Sequence, residues 1–178
     1  GSSVLTMKVE RIHDKPLVTI NGTSVDCPDS GHEAVLNFAL PLIKEHLGDQ
    51  KLSGVGHRVV HGGDKFDMPV LIDAEVENVI KNVSVLAPLH NPVNLLGITV
   101  AQKVFADLPH VAVFDTSFHQ TMPRRAVTYA LPKHLREKYS IRRYGFHGTS
   151  HEYVANLAAK HLKADLKSLR IITCHLGN

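Results

Sequence analysis

The stretch Arg142–His151 (RRYGFHGTSH) is the centre from which this 178-residue sequence can be interpreted. It combines cationic, aromatic and hydroxyl side chains with two glycines, and the apolar run Tyr153–Leu162 follows it directly. The spacing Thr149-x-x-Glu152 predicts a capping box, with Thr149 as the N-cap of a helix. The glycines on either side of His147 permit backbone angles that other residues resist. An imidazole just before a helix N-terminus suits anion binding, but a glycine-rich connection with a surface histidine fits equally well.

Composition narrows the class of protein. Hydrophobic residues make up 43% and charged residues 21%, which is ordinary for one globular domain of this length. The net charge of +3, without a Lys/Arg block, does not favour nucleic acid and fits an anionic small molecule as well. No apolar run reaches membrane-spanning length and no signal peptide is recognisable, so we expect no membrane association and a cytoplasmic location. Cys27 and Cys174 are too few for a disulfide framework.

The sequence contains 13 histidines, and two pairs of them have the spacing of helical zinc ligands. These pairs are His57-x-x-x-His61 and His147-x-x-x-His151. Neither contains the glutamate of a His-Glu-x-x-His motif, and both lie beside glycines rather than within a clear helix. The pattern therefore does not favour a zinc hydrolase.

Hydrophobic periodicity predicts strands that alternate with helices. The predicted strands are Leu17–Ile20, which the turn signal Asn21-Gly22 ends, Val55–His61, Val111–Phe114 and Leu169–Cys174. The predicted helices are His32–Leu47, with a kink or split at Pro41, a helix capped by Asp73 that runs to Leu86, a helix capped by Asn91 that runs to Phe105, and Pro132–Tyr139. This order indicates an α/β fold, a single domain with a mixed sheet and flanking helices.

Two strands carry candidate site residues. Alternation places Arg58 and Val60 on one strand face, and a guanidinium beside an aliphatic side chain suits a small carboxylate with a short apolar tail. The alternative is an edge-strand arginine that extends into solvent. Asp115 follows a buried-type strand, at the end where open α/β sheets bind ligands, although it could instead cap the next turn.

Five segments together resemble the acetate kinase family. They are Gly56–Gly63 (GHRVVHGG), Leu86–Asn91 with the Asn94–Ile98 patch, Val113–Pro123 (VFDTSFHQTMP), Arg142–His151 and Ile172–Asn178 (ITCHLGN). The resemblance implies the ribonuclease H-like N-terminal domain of the actin-like ATPase superfamily. It covers only the N-terminal half of the family's protein, so we expect residues 1–178 to be its carboxylate-binding part, truncated at both ends and without the C-terminal nucleotide-binding domain.

The resemblance also implies roles for individual residues. Arg58 is similar to the arginine that holds the carboxylate or the transferring phosphoryl group, Asp115 to the family's essential aspartate, and His147 to its transition-state-stabilising histidine. The remaining assignments are an acyl pocket of Val60, Leu89 and Phe146, a phosphate-binding loop of His175, Leu176, Gly177 and Asn178, and further motif histidines His90 and His151 behind these groups.

In this family ATP reversibly phosphorylates acetate, or propionate, to an acyl phosphate with Mg²⁺ as cofactor, and the full-length protein is a homodimer. The resemblance assigns no metal ligand to this chain. It implies that the chain is by itself an incomplete, inactive fragment of the kinase. A second hypothesis is a non-catalytic binding or assembly module that retains an anion site.

Overall fold

The computed structural model describes residues 3–177, so Gly1, Ser2 and Asn178 lie outside the described residues. The strands in this range are β1 (Met7–Glu10), β2 (Leu17–Ile20), β3 (Thr23–Asp26), β4 (Val55–Val59), β5 (Val70–Leu71) and β6 (His110–Phe114). The helices are α1 (His32–Leu47), α2 (Ala74–Asn82), α3 (Asn91–Val104), α4 (Arg124–Val127), α5 (Lys133–Lys138) and α6 (Gly148–Leu162). Single 3₁₀ turns lie at Val83–Leu86, Ser117–Thr121 and Leu166–Ser168.

The described strands form two three-stranded sheets, ordered β1-β2-β3 and β4-β6-β5. The chain also divides into two compact units. The first unit contains the residues up to His57 together with Pro92–Val111, and the second contains Arg58–Asn91 together with the residues from Ala112 onward. The boundary between the units therefore passes through β4 and β6 themselves.

The first unit begins with an antiparallel hairpin at the predicted turn. Ile20 pairs with Thr23, which leaves Asn21 and Gly22 as a two-residue loop with φ angles of 48° and 88°. Positive φ at both positions is what a type I′ hairpin turn requires, and Asn-Gly is the pair that adopts it most readily. One buried cluster of this unit comes from β2, the segment after β3 and α1: Val18, Ile20, Cys27, Val35 and Ala39.

Helix α1 runs without interruption from His32 to Leu47, so it is not split at Pro41, and the alternative of a kink there stays a prediction. Proline removes the hydrogen bond to the carbonyl four residues earlier, that of Asn37. Both Asn37 and Pro41 lie on the exposed face of the helix, where water can hydrate that carbonyl. Burial of Val35 and Ala39 on the opposite face holds the helix together through this position.

The core of the second unit includes strand residues and a pair of stacked phenylalanine rings. Its buried apolar residues are Val59, Val76, Ile80, Ala87, Ala112, Phe114, Val127, Ala155 and Ala159. The Phe114 ring stacks on Phe66 with ring centroids 4.6 Å apart. Gly62 lies so close to Phe114 that a Cβ there would come within 2.8 Å of the ring. Asp73 caps α2 as predicted, because its side chain accepts a hydrogen bond from the Val76 amide at 2.9 Å.

Helix α6 begins two residues before the predicted position. Gly148 is its first residue and His147 occupies the N-cap position, so the prediction of Thr149 as N-cap is wrong. The Thr149 hydroxyl instead donates to the carboxylate of Asp115 at 3.4 Å. The Thr149 side chain therefore bonds a residue distant in sequence, Asp115, instead of capping the helix.

Asn91 is the first residue of α3, and its side chain bonds the main chain of another segment. Its amide oxygen accepts from the His61 amide at 3.0 Å, and its amide nitrogen donates to the His61 carbonyl at 2.9 Å and to the Ile80 carbonyl at 3.4 Å. Asn91 is fully buried. It fastens the turn that follows β4 to the start of α3.

The predicted strand Leu169–Cys174 is absent from the structure. Residues 169–177 have no regular secondary structure, and Ile172 and Leu176 are almost completely exposed. A strand requires a neighbour to bond its main-chain groups, and neither sheet of the described residues includes this segment. Apolar composition alone therefore overpredicted a strand here.

Among the helices of residues 3–177, none is sufficiently long and apolar to span a bilayer.

Candidate functional site

A single cavity in the second unit brings together most of the predicted site residues. Its volume is about 790 Å³. The predicted residues among its lining are Arg58, Val60, Leu89, His90, Asp115, Phe146, His147 and His175. They come from β4 and the residue after it, the segment before α3, the residue after β6, the turn before α6 and the irregular segment near residue 175. Arg58 and Val60 line the cavity together, as strand alternation predicts.

Arg58 and Asp115 form a two-point ion pair at the cavity wall. The Arg58 Nε donates to Asp115 Oδ1 at 3.0 Å and Nη2 donates to Oδ2 at 2.5 Å. Asp115 is almost completely buried, whereas the Arg58 side chain is 62% exposed. The Asp115 carboxylate raises the pKa of Arg58, chiefly through these hydrogen bonds. The Nη1 edge of the guanidinium takes no part in the pair, so it can bind an anion in the cavity.

Asp115 also connects β6 to the start of α6. Its amide donates to the Val59 carbonyl at 3.0 Å, and its carbonyl accepts from the Gly148 amide at 2.9 Å. A Cβ at Gly148 would collide with that same carbonyl oxygen and with Phe118. Gly148 is therefore required for close approach of two main chains, rather than for a positive φ as we expected from the sequence.

His147 adopts a left-handed backbone conformation, with φ 54° and ψ 30°. Its carbonyl accepts hydrogen bonds from the amides of Ser150 and His151 at 3.0 and 3.1 Å, which forms the first turn of α6. A non-glycine residue in this region costs on the order of 1–3 kcal/mol unless its surroundings impose it. The conformation places the imidazole at the N-terminus of a 15-residue helix, whose free amides favour negative charge.

The apolar part of the cavity is open to solvent. Val60 is half-buried, whereas Leu89 is 83% exposed and Phe146 is 47% exposed. Residues 86–88 extend this wall beside Leu89. The wall can contact a short aliphatic tail, while the Arg58 guanidinium contacts a carboxylate or phosphoryl group at the tail's other end.

The predicted phosphate loop is only partly assembled. His175 lies in the cavity, with its ring centroid 4.1 Å from that of His147, and its Nδ1 is 3.0 Å from the Ser150 hydroxyl. Leu176 is exposed and does not line the cavity, Gly177 is likewise exposed, and Asn178 lies outside the described residues. A phosphate-binding role for these four residues therefore stays a prediction.

Two hydroxyl-bearing cavity residues were not predicted as site residues, and His151, which was predicted to lie behind the site, does not line the cavity. Thr149 and Ser150 both line the cavity, and their hydroxyls in the first turn of α6 were the available signal. His151 does not line it, and its Nδ1 instead lies 2.7 Å from the Thr173 hydroxyl. This bond and the Ser150–His175 bond hold the irregular segment against α6.

The histidine pairs with zinc-like spacing have other partners. His57 Nε2 lies 2.9 Å from His110 Nδ1, and His110 Nε2 lies 3.1 Å from the Phe105 carbonyl. Because a carbonyl only accepts, His110 carries its proton on Nε2 and accepts from His57. Burial, with His110 nearby, lowers the pKa of His57 to about 4, and burial also lowers the pKa of His61. Among the residues that the structure describes, no group of three or more His, Cys, Asp or Glu could hold a metal ion.

Solved structures define the class to which this fold belongs. A propionate kinase from Francisella tularensis superposes with a TM-score of 0.86 and 41% identity, over 92% of this chain and 44% of that one. Porphyromonas gingivalis acetate kinase superposes with a TM-score of 0.82 and 36% identity, over 93% of this chain and 44% of that one. The chain therefore has the α/β fold of acetate and propionate kinases, within the actin-like ATPase superfamily.

Sequence comparison makes the assignment specific. Residues 10–178 match the Acetokinase family, and the chain belongs to that family. Staphylococcus epidermidis acetate kinase is 46% identical over 200 residues, covering 100% of this chain and 48% of the relative. Thermotoga maritima acetate kinase is 54% identical over 158 residues, covering 86% of this chain and 39% of the relative. The chain spans about half the length of the curated relatives it matches.

Proposed function

We propose that this chain supplies the carboxylate-binding side of an enzyme that phosphorylates acetate or propionate with ATP. The reaction is a reversible, direct in-line transfer that yields an acyl phosphate. The observation that carries the proposal is the Arg58–Asp115 pair, which shares one cavity with His147 and an apolar wall. Since the chain spans about half the length of its relatives, the activity is proposed for a protein of their length.

The chemistry requires positioning rather than a general base. A short-chain carboxylic acid has a pKa close to that of Glu, about 4.3, so the nucleophile is already ionised at neutral pH. Both oxygens of Asp115 bond Arg58, which supports an orienting role for this carboxylate. Arg58, fixed in this way, offers its Nη1 edge to the incoming anion, and alignment of this kind is a main source of rate enhancement in phosphoryl transfer.

His147 is proposed to donate a hydrogen bond to an equatorial oxygen of the transferring phosphoryl group. Its position at the N-terminus of α6 adds the favourable field of free amides at the same place. Arg58 balances charge from another side of the cavity. Val60, Leu89 and Phe146 are proposed to contact the aliphatic tail, and one methylene more or less changes binding by only about 1–3 kcal/mol.

ATP is the phosphoryl donor in the proposed reaction, and Mg²⁺ accompanies its phosphates in the family. The described residues do not form a magnesium site on their own, because no carboxylate cluster is present and both Asp115 oxygens bond Arg58. The resemblance also leads us to propose a cytoplasmic homodimer for the protein of full length, which light scattering and cell fractionation would test.

The test uses this chain and a full-length chimera. In the chimera, this chain replaces the matching 48% of S. epidermidis acetate kinase. Acyl phosphate is trapped as the hydroxamate with ATP, Mg²⁺ and either acetate or propionate. We expect activity in the chimera that falls at least about 100-fold in Arg58→Ala and His147→Ala. The matched control is His134→Ala, an exposed histidine on α5 outside the cavity, which should leave activity within twofold of the parent.

A binding role without catalysis predicts a different pattern. Acetate or phosphate would raise the melting temperature of the chain by mass action, as for any ligand of the folded state. The same anions would leave the melting temperature of the Arg58→Ala variant unchanged. If the chimera stays inactive while these shifts occur, the chain is a binding module and the kinase proposal is wrong.

A further inference from the structure

The His119 side chain contacts the turn that carries Phe146 and His147. It belongs to the 3₁₀ turn Ser117–Thr121, which follows Asp115. Its Nε2 is 3.0 Å from the Phe146 carbonyl oxygen. A Cβ built on Gly145 would come within 2.5 Å of the imidazole Cδ2, so the ring occupies the space that a side chain at that position would need.

The protonation of His119 at this contact follows from its partner. A main-chain carbonyl can only accept, so Nε2 must carry a hydrogen in order to bond it. The contact therefore acts through the geometry of this hydrogen bond.

The turn is held at two points on either side of His147. The Phe146 carbonyl accepts from His119, and the Gly148 amide donates to the Asp115 carbonyl at 2.9 Å. Both partners lie within residues 115–121. A backbone conformation as uncommon as φ 54° at His147 persists only when its surroundings impose it, and these two bonds supply that constraint.

We propose that His119 is a positioning residue for the phosphoryl transfer, acting by fixing the turn that presents Phe146 and His147. This inference rests on the function proposed above. The 3₁₀ turn that contains His119 also contains Gln120, whose side-chain amide donates to the Gly63 carbonyl at 2.9 Å. This bond fixes the 3₁₀ turn to the segment after β4. The segment of residues 115–121 thus supplies Asp115 and fixes the position of His147 relative to it.

The first test compares three substitutions in the chimera. Gln places its amide nitrogen near the position of the imidazole Nε2, whereas Asn reaches only as far as Nδ1, so Gln can keep the bond and Asn cannot. We expect kcat to fall about 10–100-fold in His119→Ala and His119→Asn, and to stay within about threefold of the parent in His119→Gln. Equal activity in all three variants, or a Gln variant as impaired as Ala, would overturn the proposal.

The second test uses this chain alone and does not require catalysis. Gly145→Ala should lower the melting temperature in the parent, since its Cβ meets the His119 ring and its φ of 80° is strained. The strain is the same in the His119→Ala background but the collision is absent, so the decrease should be smaller there by about 2–6 °C. Equal decreases in both backgrounds would contradict the close contact.

An NMR measurement distinguishes failure of this inference from failure of the proposed function. The ring signals of His147 in the chain should shift or broaden in His119→Ala and keep their positions in His119→Gln. If the chimera makes no acyl phosphate, the proposed function fails while these signals still decide the positioning role. Unchanged His147 signals in His119→Ala would refute it.

Discussion

Replacing Gly148 by alanine adds one methyl group at the point where α6 meets the end of β6. The new Cβ would collide with the Asp115 carbonyl oxygen and would lie 2.9 Å from the Phe118 Cβ. Neither neighbour can move easily. Asp115 is fixed by two hydrogen bonds from Arg58, and Phe118 belongs to the 3₁₀ turn.

Three terms set the expected cost. Forcing a methyl group into a filled space destabilises by about 1–3 kcal/mol. Displacing the Gly148 amide from the Asp115 carbonyl loses a hydrogen bond worth about 0.5–1.5 kcal/mol. Alanine is favoured over glycine inside a helix by up to about 1 kcal/mol, which offsets part of the loss. The net expectation is a destabilisation of about 0.5–4.5 kcal/mol, or a melting temperature lower by about 1–18 °C.

The assay is urea unfolding followed by circular dichroism, with thermal unfolding in parallel. Gly97→Ala is the matched control, because Gly97 lies inside α3, has no atom within 4 Å of a built Cβ, and has no positive φ. We expect the control to stabilise by about 0.5–1 kcal/mol. The same substitution should thus have opposite signs at the two sites. A Gly148→Ala variant as stable as the parent would refute the close approach of α6 to Asp115.

Three further predictions concern buried polar groups. Arg58→Ala leaves the Asp115 carboxylate buried without its partner, so stability should fall by about 1–3 kcal/mol, and adding Asp115→Asn should recover most of this loss in urea titrations. Asn91→Ala removes the bonds to the main chain of His61 and should cost about 2–5 kcal/mol; a loss under 1 kcal/mol in the same titration would contradict the bonding described. The pKa of His57 is about 4 in the folded chain and 6.5 in the unfolded chain. Between these pH values the unfolded chain binds one proton that the folded chain does not, so the unfolding free energy should fall as the pH falls from 6.5 towards 4. His57→Gln should remove about 1–2 kcal/mol of the change between pH 7 and pH 5, measured as the unfolding free energy at each pH; an unaltered pH dependence would show that this histidine is not buried as described.

The sequence predicted helices, strands and turns well where residues close together in the sequence decide the conformation. Strand β2 and helix α1 have the predicted bounds, Asp73 caps α2, and the Asn21-Gly22 turn forms a tight hairpin. Each depends on neighbours in sequence, through side-chain periodicity, a capping hydrogen bond or a positive φ. The resemblance to acetate kinases, carried by five spaced motifs, is confirmed by the family match over residues 10–178.

The sequence predicted less well wherever a residue has a distant partner. Thr149 bonds Asp115 instead of capping α6, and Asn91 bonds the main chain of His61. Residues 169–177 remain irregular because no described strand pairs with them. In these cases the side chain or main chain has two possible partners, and only the packing of segments far apart in sequence selects one.

The sequence by itself determined the fold class and the family, and it predicted the candidate site residues. These depend on residue types at fixed spacings, which are present before the chain folds. The tertiary structure alone decided that Arg58 holds Asp115 by two bonds, that Gly148 serves close approach, and that the His119 imidazole lies within hydrogen-bond distance of the Phe146 carbonyl. The physical reason is that hydrogen bonds and van der Waals contacts act over a few ångströms, and sequence spacing does not specify which distant groups come within that range.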